Sequence, residues 1–168
     1  MYIFDTNVFL EIFRAYYPSI FPALWDKFNA EVAKGTITSV RNVRPEMLIR
    51  RVTPRLDNWI KQNKNIFTEP SVDEQEFVKH LTNTPAGRGL IKTKETQVTQ
   101  PQADLWLIAK AHVLQKTKKT KVSVVTMESR IATSNNPGMG RIPDVCDGHR
   151  IRCINLEQFM SEQNWMFR

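Results

Sequence analysis

Short apolar, β-prone runs alternate with helical patterns along the whole chain. Tyr2–Phe4, Thr36–Val40, Val122–Thr126 and Arg150–Ile154 read as strands. Strands joined through helices run parallel, and a parallel sheet needs helices on both faces. The expected fold class is therefore α/β, with a central parallel β-sheet flanked by α-helices. At 168 residues the chain is long enough for one domain, residues 1–168, with a full core and no need of disulfides or structural metal.

The helical patterns carry their own boundaries. Asn7–Ala15 follows the first strand as a helix. Ser19 is placed to cap the next, in which Phe21, Leu24, Trp25, Phe28 and Val32 form one stripe and which Gly35 ends. Pro45 suits the first position of a helix expected to reach Gln62. Ser71–Glu74 is a capping box that opens a helix through His80. Pro85–Pro101, polar and containing Gly87 and Gly89, reads as a long loop. Ala103–Leu114 is a helix, Ser134–Gly140 a second loop, and Asn155 caps a last helix to about Gln163.

Composition narrows the function classes. Apolar residues at 41% and charged residues at 24% exclude a disordered chain. No apolar run approaches the ~20 residues of a membrane span, and MYIFDTN lacks the basic start of a signal peptide. Two cysteines make no secreted disulfide framework, so a cytoplasmic setting is expected. The net charge of +7 suggests a polyanionic partner, most simply nucleic acid, although solubility alone also accounts for it. No Walker motif and no G-x-G-x-x-G after a strand are present.

Four acids stand out. Asp5 closes the first strand and Glu128 follows VSVVT. In open parallel sheets ligands bind beyond the carboxyl ends of the strands, so neighbouring strands would bring both to one edge. Each could equally be a helix-start acid. Asp104 precedes the apolar run Leu105–Ala109 and is costly if buried, unless it sits at the solvated helix start. Glu46 follows Pro45 at a helix start, a common place for a Glu. Arg44, Arg51 and Arg55, spaced seven and four apart, would share a helix face and could track phosphates, or form a solvated surface. Converging acids without a basic partner repel one another. A hard cation such as Mg²⁺ or Mn²⁺ resolves that conflict and supports phosphodiester hydrolysis.

Weaker candidates remain. Cys146, His149 and Cys153 have a spacing that could serve zinc, but only three ligands are close in sequence. His80 and His112 read as structural, and Ser129 has no visible activating pair. Tyr16, Tyr17 and Trp59 offer rings for base stacking, with core packing the stronger reading.

The acids and their surroundings resemble the PIN domain nucleases of bacterial toxin–antitoxin systems. YIFDTNVFL is similar to that family's first-strand motif, and Glu46 in PEML to its second acid. Asp104 in ADLWLIAKA and the strand VVTMES resemble the third and fourth motifs. Ile142–Cys146 (IPDVC) and the ending Trp165–Phe167 resemble a PIN-like subfamily known only as a domain of unknown function.

The resemblance implies a PIN-like fold and a Mg²⁺- or Mn²⁺-dependent endoribonuclease. Asp5 and Asp104 would be primary metal ligands. Glu46 would bind metal or orient water, and Glu128 would hold metal through water or complete a second site. Thr6, Asn7 and Thr126 would support them, and Arg44, Arg51 and Arg55 would contact RNA. Glu128 stands where the family has Asp, so Asp144 could assist or replace it. The implied partners are RNA and a cognate antitoxin, with a homodimer as an option and no membrane. A catalytically silent RNA-binding module is one rival. A haloacid dehalogenase-type phosphatase is another, though it needs an Asp where Asn7 stands.

Overall fold

Five short parallel strands in the order β3-β2-β1-β4-β5 form the sheet. The computed structural model of the chain describes residues 1–50, 53–91, 102–118, 121–130 and 140–166. The strands are β1 (Tyr2–Phe4), β2 (Ile37–Val40), β3 (Phe67–Thr68), β4 (Ser123–Val125) and β5 (Arg152–Ile154). Tyr2 lies opposite Ile37 on one side and Ser123 on the other, which puts β1 at the centre. The chain winds outward from β1 to β3 and then crosses back to β4. The order therefore reverses between β1 and β4, where an open α/β sheet leaves a crevice. The expected class, a parallel sheet flanked by helices, is what the chain forms.

The helices are α1 (Thr6–Ala15), α2 (Pro22–Ala33), α3 (Val43–Arg50), α4 (Pro54–Gln62), α5 (Val72–Thr82), α6 (Pro85–Leu90), α7 (Asp104–Thr117), α8 (Ile142–Gly148) and α9 (Leu156–Glu162). Phe4 points to one face of the sheet and meets Phe9 of α1, Phe28 of α2 and Phe159 of α9 at ring-centroid distances of 5.4, 6.3 and 5.0 Å. Ile3 alternates to the other face. There α7 packs across β1, β2 and β4, and α5 packs on α7. No helix among the described residues is long and apolar enough to cross a membrane.

Several boundaries differ from the sequence reading. Ser19 does not cap α2, because that helix opens at Pro22, whose missing N–H suits the first turn. The helix expected over 45–62 is two helices. Pro54 cannot continue a helix, and Thr53 starts a new one by accepting the Leu56 N–H at 3.2 Å. Part of the expected loop at 85–101 is α6, capped by Thr84. Its Gly87 is required by packing, since a Cβ there would lie 2.1 Å from the Leu81 carbonyl oxygen. Residues 92–101 of that loop and 134–139 of the second lie outside the described residues. The short β3 and α8 carried no sequence expectation. Gly35 does end the second helix, at φ +72°, and both capping boxes, Ser71–Glu74 and Asn155–Gln158, form.

Candidate active site

Asp5 follows β1 directly, and its N–H donates to the Val125 carbonyl at 3.0 Å, which ties it to the end of β4. It is 2% exposed. The Thr126 hydroxyl donates to Asp5 Oδ2 at 2.9 Å, and Asn7 Nδ2 reaches the same oxygen at 3.5 Å. Burial pushes the Asp5 carboxyl up to about 7, and the charge of Asp104 adds to the push. The Thr126 bond opposes the shift, while Glu128 and Glu46 reinforce it. Three carboxylates distant in sequence therefore act on Asp5 at the carboxyl edge of β1 and β4.

Glu46 lies in the first turn of α3, and both its oxygens are engaged. Oε2 accepts from the Thr6 hydroxyl at 2.5 Å, and Oε1 from the Ala103 N–H at 2.9 Å. Ala103 precedes α7 and offers no side-chain cap of its own. Glu46 thus serves an orphan donor of α7 from across the molecule. The residue that follows is Asp104. It stands at the start of α7 and is partly exposed, so its charge avoids the cost of a mid-helix burial.

Glu128 closes the far side. Its N–H donates to Thr126 Oγ1 at 3.2 Å. Its Oε2 accepts from the N–H of Ile142, the first residue of α8, at 2.9 Å. Arg141, the residue before α8, gives that helix no side-chain cap, so Glu128 supplies one. Asp144 sits in the first turn of α8, partly buried. The IPDVC motif is therefore a short helix whose start is held at the acidic edge. Two helix N-termini, those of α7 and α8, are positioned by acids of the cluster, as the partial positive charge at helix starts favours.

A family profile described as a domain of unknown function (DUF4411) matches residues 2–167. The chain belongs to this family. No curated protein and no solved structure matches it.

The remaining candidates of this DUF4411 chain fall into distinct places. Arg44 and Arg55 do not share a helix face, because the break at Pro54 puts them on α3 and α4. Arg44 lines a groove with Arg41 and Lys64, whereas Arg55 lines a different one with Asn7 and Glu128. Arg51 lies outside the described residues, as does Phe167. Cys146 and Cys153 are buried, and the Cys153 thiol, together with burial, holds the Cys146 thiol well above its ordinary pKa. His149 instead packs with His80, His112 and Phe77, with Phe77 stacked on His112 at 3.7 Å between ring centroids. That arrangement does not form the zinc triad. Among the described residues, no three His, Cys, Asp or Glu side chains are already gathered to hold a metal ion. Trp59 is core, and its indole N–H donates to Asn29 at 3.0 Å.

Proposed function

We propose that this chain is a metal-dependent endoribonuclease of the PIN-like kind, hydrolysing RNA phosphodiester bonds. The observation that supports it is the electrostatic state of Asp5: a buried carboxylate at the end of the central strand, repelled by Asp104, Glu128 and Glu46. The donors Thr126 and Asn7 do not cancel these like charges, and a polyanionic substrate would worsen the repulsion. A cation removes both problems. The donor set suits Mg²⁺ or Mn²⁺, which favour oxygen ligands. Mg²⁺ in particular is commonly held by one or two carboxylates, with water and phosphate completing its shell. A ready-made cage of three acids is therefore not needed.

Asp5 and Asp104 would hold the ion, with Glu128 beside them. A bound ion supplies charge to the phosphate and lowers the pKa of an attacking water. The chain's own groups do the positioning. Thr126 and Asn7 fix the Asp5 carboxylate. Glu46 holds the start of α7 and so the position of Asp104, acting as a positioning residue. Asp5, held up to about 7 by burial and its acidic neighbours, would have to give up its proton to hold an ion. On the same reading, a cognate antitoxin would act by covering this edge.

Purified protein should cut labelled RNA with Mg²⁺ or Mn²⁺ and be silent in EDTA. Asp5→Asn should lower the rate by about 10³-fold or more. Undiminished cleavage in EDTA by protein verified to be free of metal would sink the reading.

A further inference from the structure

A groove of about 1120 Å³ runs from the acidic edge along α1 and α4. Asn7 and Glu128 line its acidic end. Leu10, Tyr17, Pro54 and Met127 make much of the rest. Two of these are large apolar side chains left at the surface, Tyr17 at 54% and Met127 at 44% exposed. The volume slightly exceeds that of ordinary small-molecule sites, so it has room for a heterocycle with its sugar and part of a neighbour.

The wall around Tyr17 is built rather than loose. The Arg55 guanidinium carbon lies 5.2 Å from the Tyr17 ring centroid, and 5.3 and 5.5 Å from those of Phe13 and Trp25. The same guanidinium donates to the Phe13 carbonyl oxygen. One cation is thus clamped by three rings and a backbone acceptor. It braces the Tyr17 ring and keeps a positive charge beside the groove. Arg14 adds a second cation at the rim, paired with Glu11 at 2.5 Å.

The geometry points to this groove as a nucleobase site for single-stranded RNA, with Tyr17 as the stacking platform. The inference rests on the nuclease reading and adds where the substrate's bases go. Continuity decides the occupant. A strand whose phosphate lies at Asp5 must send its neighbouring nucleoside along the surface that Asn7 and Glu128 begin. That surface offers an aromatic face and two arginines, a combination that suits a base flanked by phosphates. A paired base has its faces covered by its neighbours and cannot stack there, so the groove selects unpaired RNA. Stacking reads no hydrogen-bond pattern, so tolerance of base identity is expected.

The test measures binding of short fluorescein-labelled single-stranded RNA in Mg²⁺ by the full chain carrying Asp104→Asn, which prevents turnover on the nuclease reading. Adding Tyr17→Ala should weaken binding roughly 5- to 150-fold, the equivalent of one lost base stack. Tyr17→Phe should stay within about twofold, which shows that the ring and not the hydroxyl matters. RNA of the same length with abasic residues throughout should bind equally with and without Tyr17→Ala, and a blunt duplex should bind more weakly than the single strand.

Two results would overturn the base site while leaving the nuclease reading in place. One is metal-dependent cleavage by wild type with RNA binding unaffected by Tyr17→Ala, which would give the groove to another occupant such as a peptide. The other is an equal loss on intact and abasic RNA, which would mean that the substitution disturbs the site's shape or charge. Absence of any RNA binding and of any cleavage by wild type would overturn both readings.

Discussion

Asp5 and Lys110 are both buried charged residues, 2% and 6% exposed, and the fold treats them in opposite ways. Lys110 lies in the middle of α7. Its ammonium donates to Thr68 Oγ1 at 2.6 Å and stands 3.9 Å from the buried carboxylate of Glu74. Burial lowers its pKa, and Glu74 pulls it back up. Asp5 receives two side-chain donors, but the charges around it have its own sign. A buried charge matched by an opposite one is complete within the protein. A buried charge among like ones is completed only from outside. Burial alone does not distinguish the two residues, whereas the sign of the neighbouring charges does.

The largest stability effect should follow from removing the unmatched charge. Asp5 has a folded pKa of about 7 against an ordinary value of 3.8. The folded protein therefore binds more protons than the unfolded chain between those values. Its stability is highest below about pH 4 with respect to this group and falls as pH rises through about 7. Asp5→Asn abolishes that dependence while still accepting from Thr126. At pH 8 and without metal, the variant should be more stable than wild type by about 2 to 4 kcal/mol, since each tenfold difference in proton affinity between the folded and unfolded states is worth ~1.4 kcal/mol. Urea unfolding in EDTA from pH 4 to 8 checks this. Parallel pH profiles for the two proteins would show that Asp5 is not repelled in the folded state.

Removing the matched charge should act the other way. Lys110→Met leaves Glu74 buried without its cation and should cost about 2 to 3 kcal/mol. Adding Glu74→Gln should cost less than the sum of the single changes, because the stranded carboxylate is gone. Neither change should alter any stabilisation by Mn²⁺, which the proposed reading places at the other end of α7. Wild-type stability in Lys110→Met would erase the contrast between the two charges.

The two regions were also unequally legible in the sequence. The strand ending at Asp5, the box Ser71–Glu74 and the cap Asn155 were readable because each is a local pattern with a local cause. The strand VSVVT was readable as buried, but its place beside β1 was only a condition in the sequence; the pairing of β1 with β4 is what carries Asp5 and Thr126 to one edge. The network of Lys110, Thr68 and Glu74 was not readable, because its members join α7, β3 and α5 across 36 to 42 positions and no periodicity marks a buried Lys. The same limit hid the pairing of Glu46 with Ala103, 57 residues apart. Thr53-Pro54 was a readable helix start inside the single helix expected over 45–62, because Pro ends a helix and Thr before it caps the next. The glycines of Pro85–Leu90 argued for a loop, whereas close packing on Leu81 demands the small residue inside a helix.

The smallest effect, and the one that joins the two ends of the comparison, belongs to Asp104. It begins α7, where the helix start favours a negative side chain by about 0.3 to 1 kcal/mol. It also raises the pKa of Asp5, so the two acids repel whenever both are ionised. These contributions have opposite signs and different pH dependence. Below about pH 5 Asp5 carries its proton, the repulsion is absent, and Asp104→Asn should lose about 0.5 kcal/mol of helix-start stabilisation. Above about pH 7 Asp5 is ionised, and the same substitution should gain about 1 kcal/mol net by relieving repulsion. The stability difference between variant and wild type should therefore change sign between pH 5 and 8 in EDTA. On the proposed metal-dependent reading, Mn²⁺ should stabilise wild type in proportion to its binding, and the variant much less, because one of the two acids proposed to hold the ion is gone. Thermal melts across that pH range, with EDTA and with Mn²⁺, read both effects. A difference of one sign throughout, with equal responses to Mn²⁺, would make Asp104 a helix-start acid and nothing more.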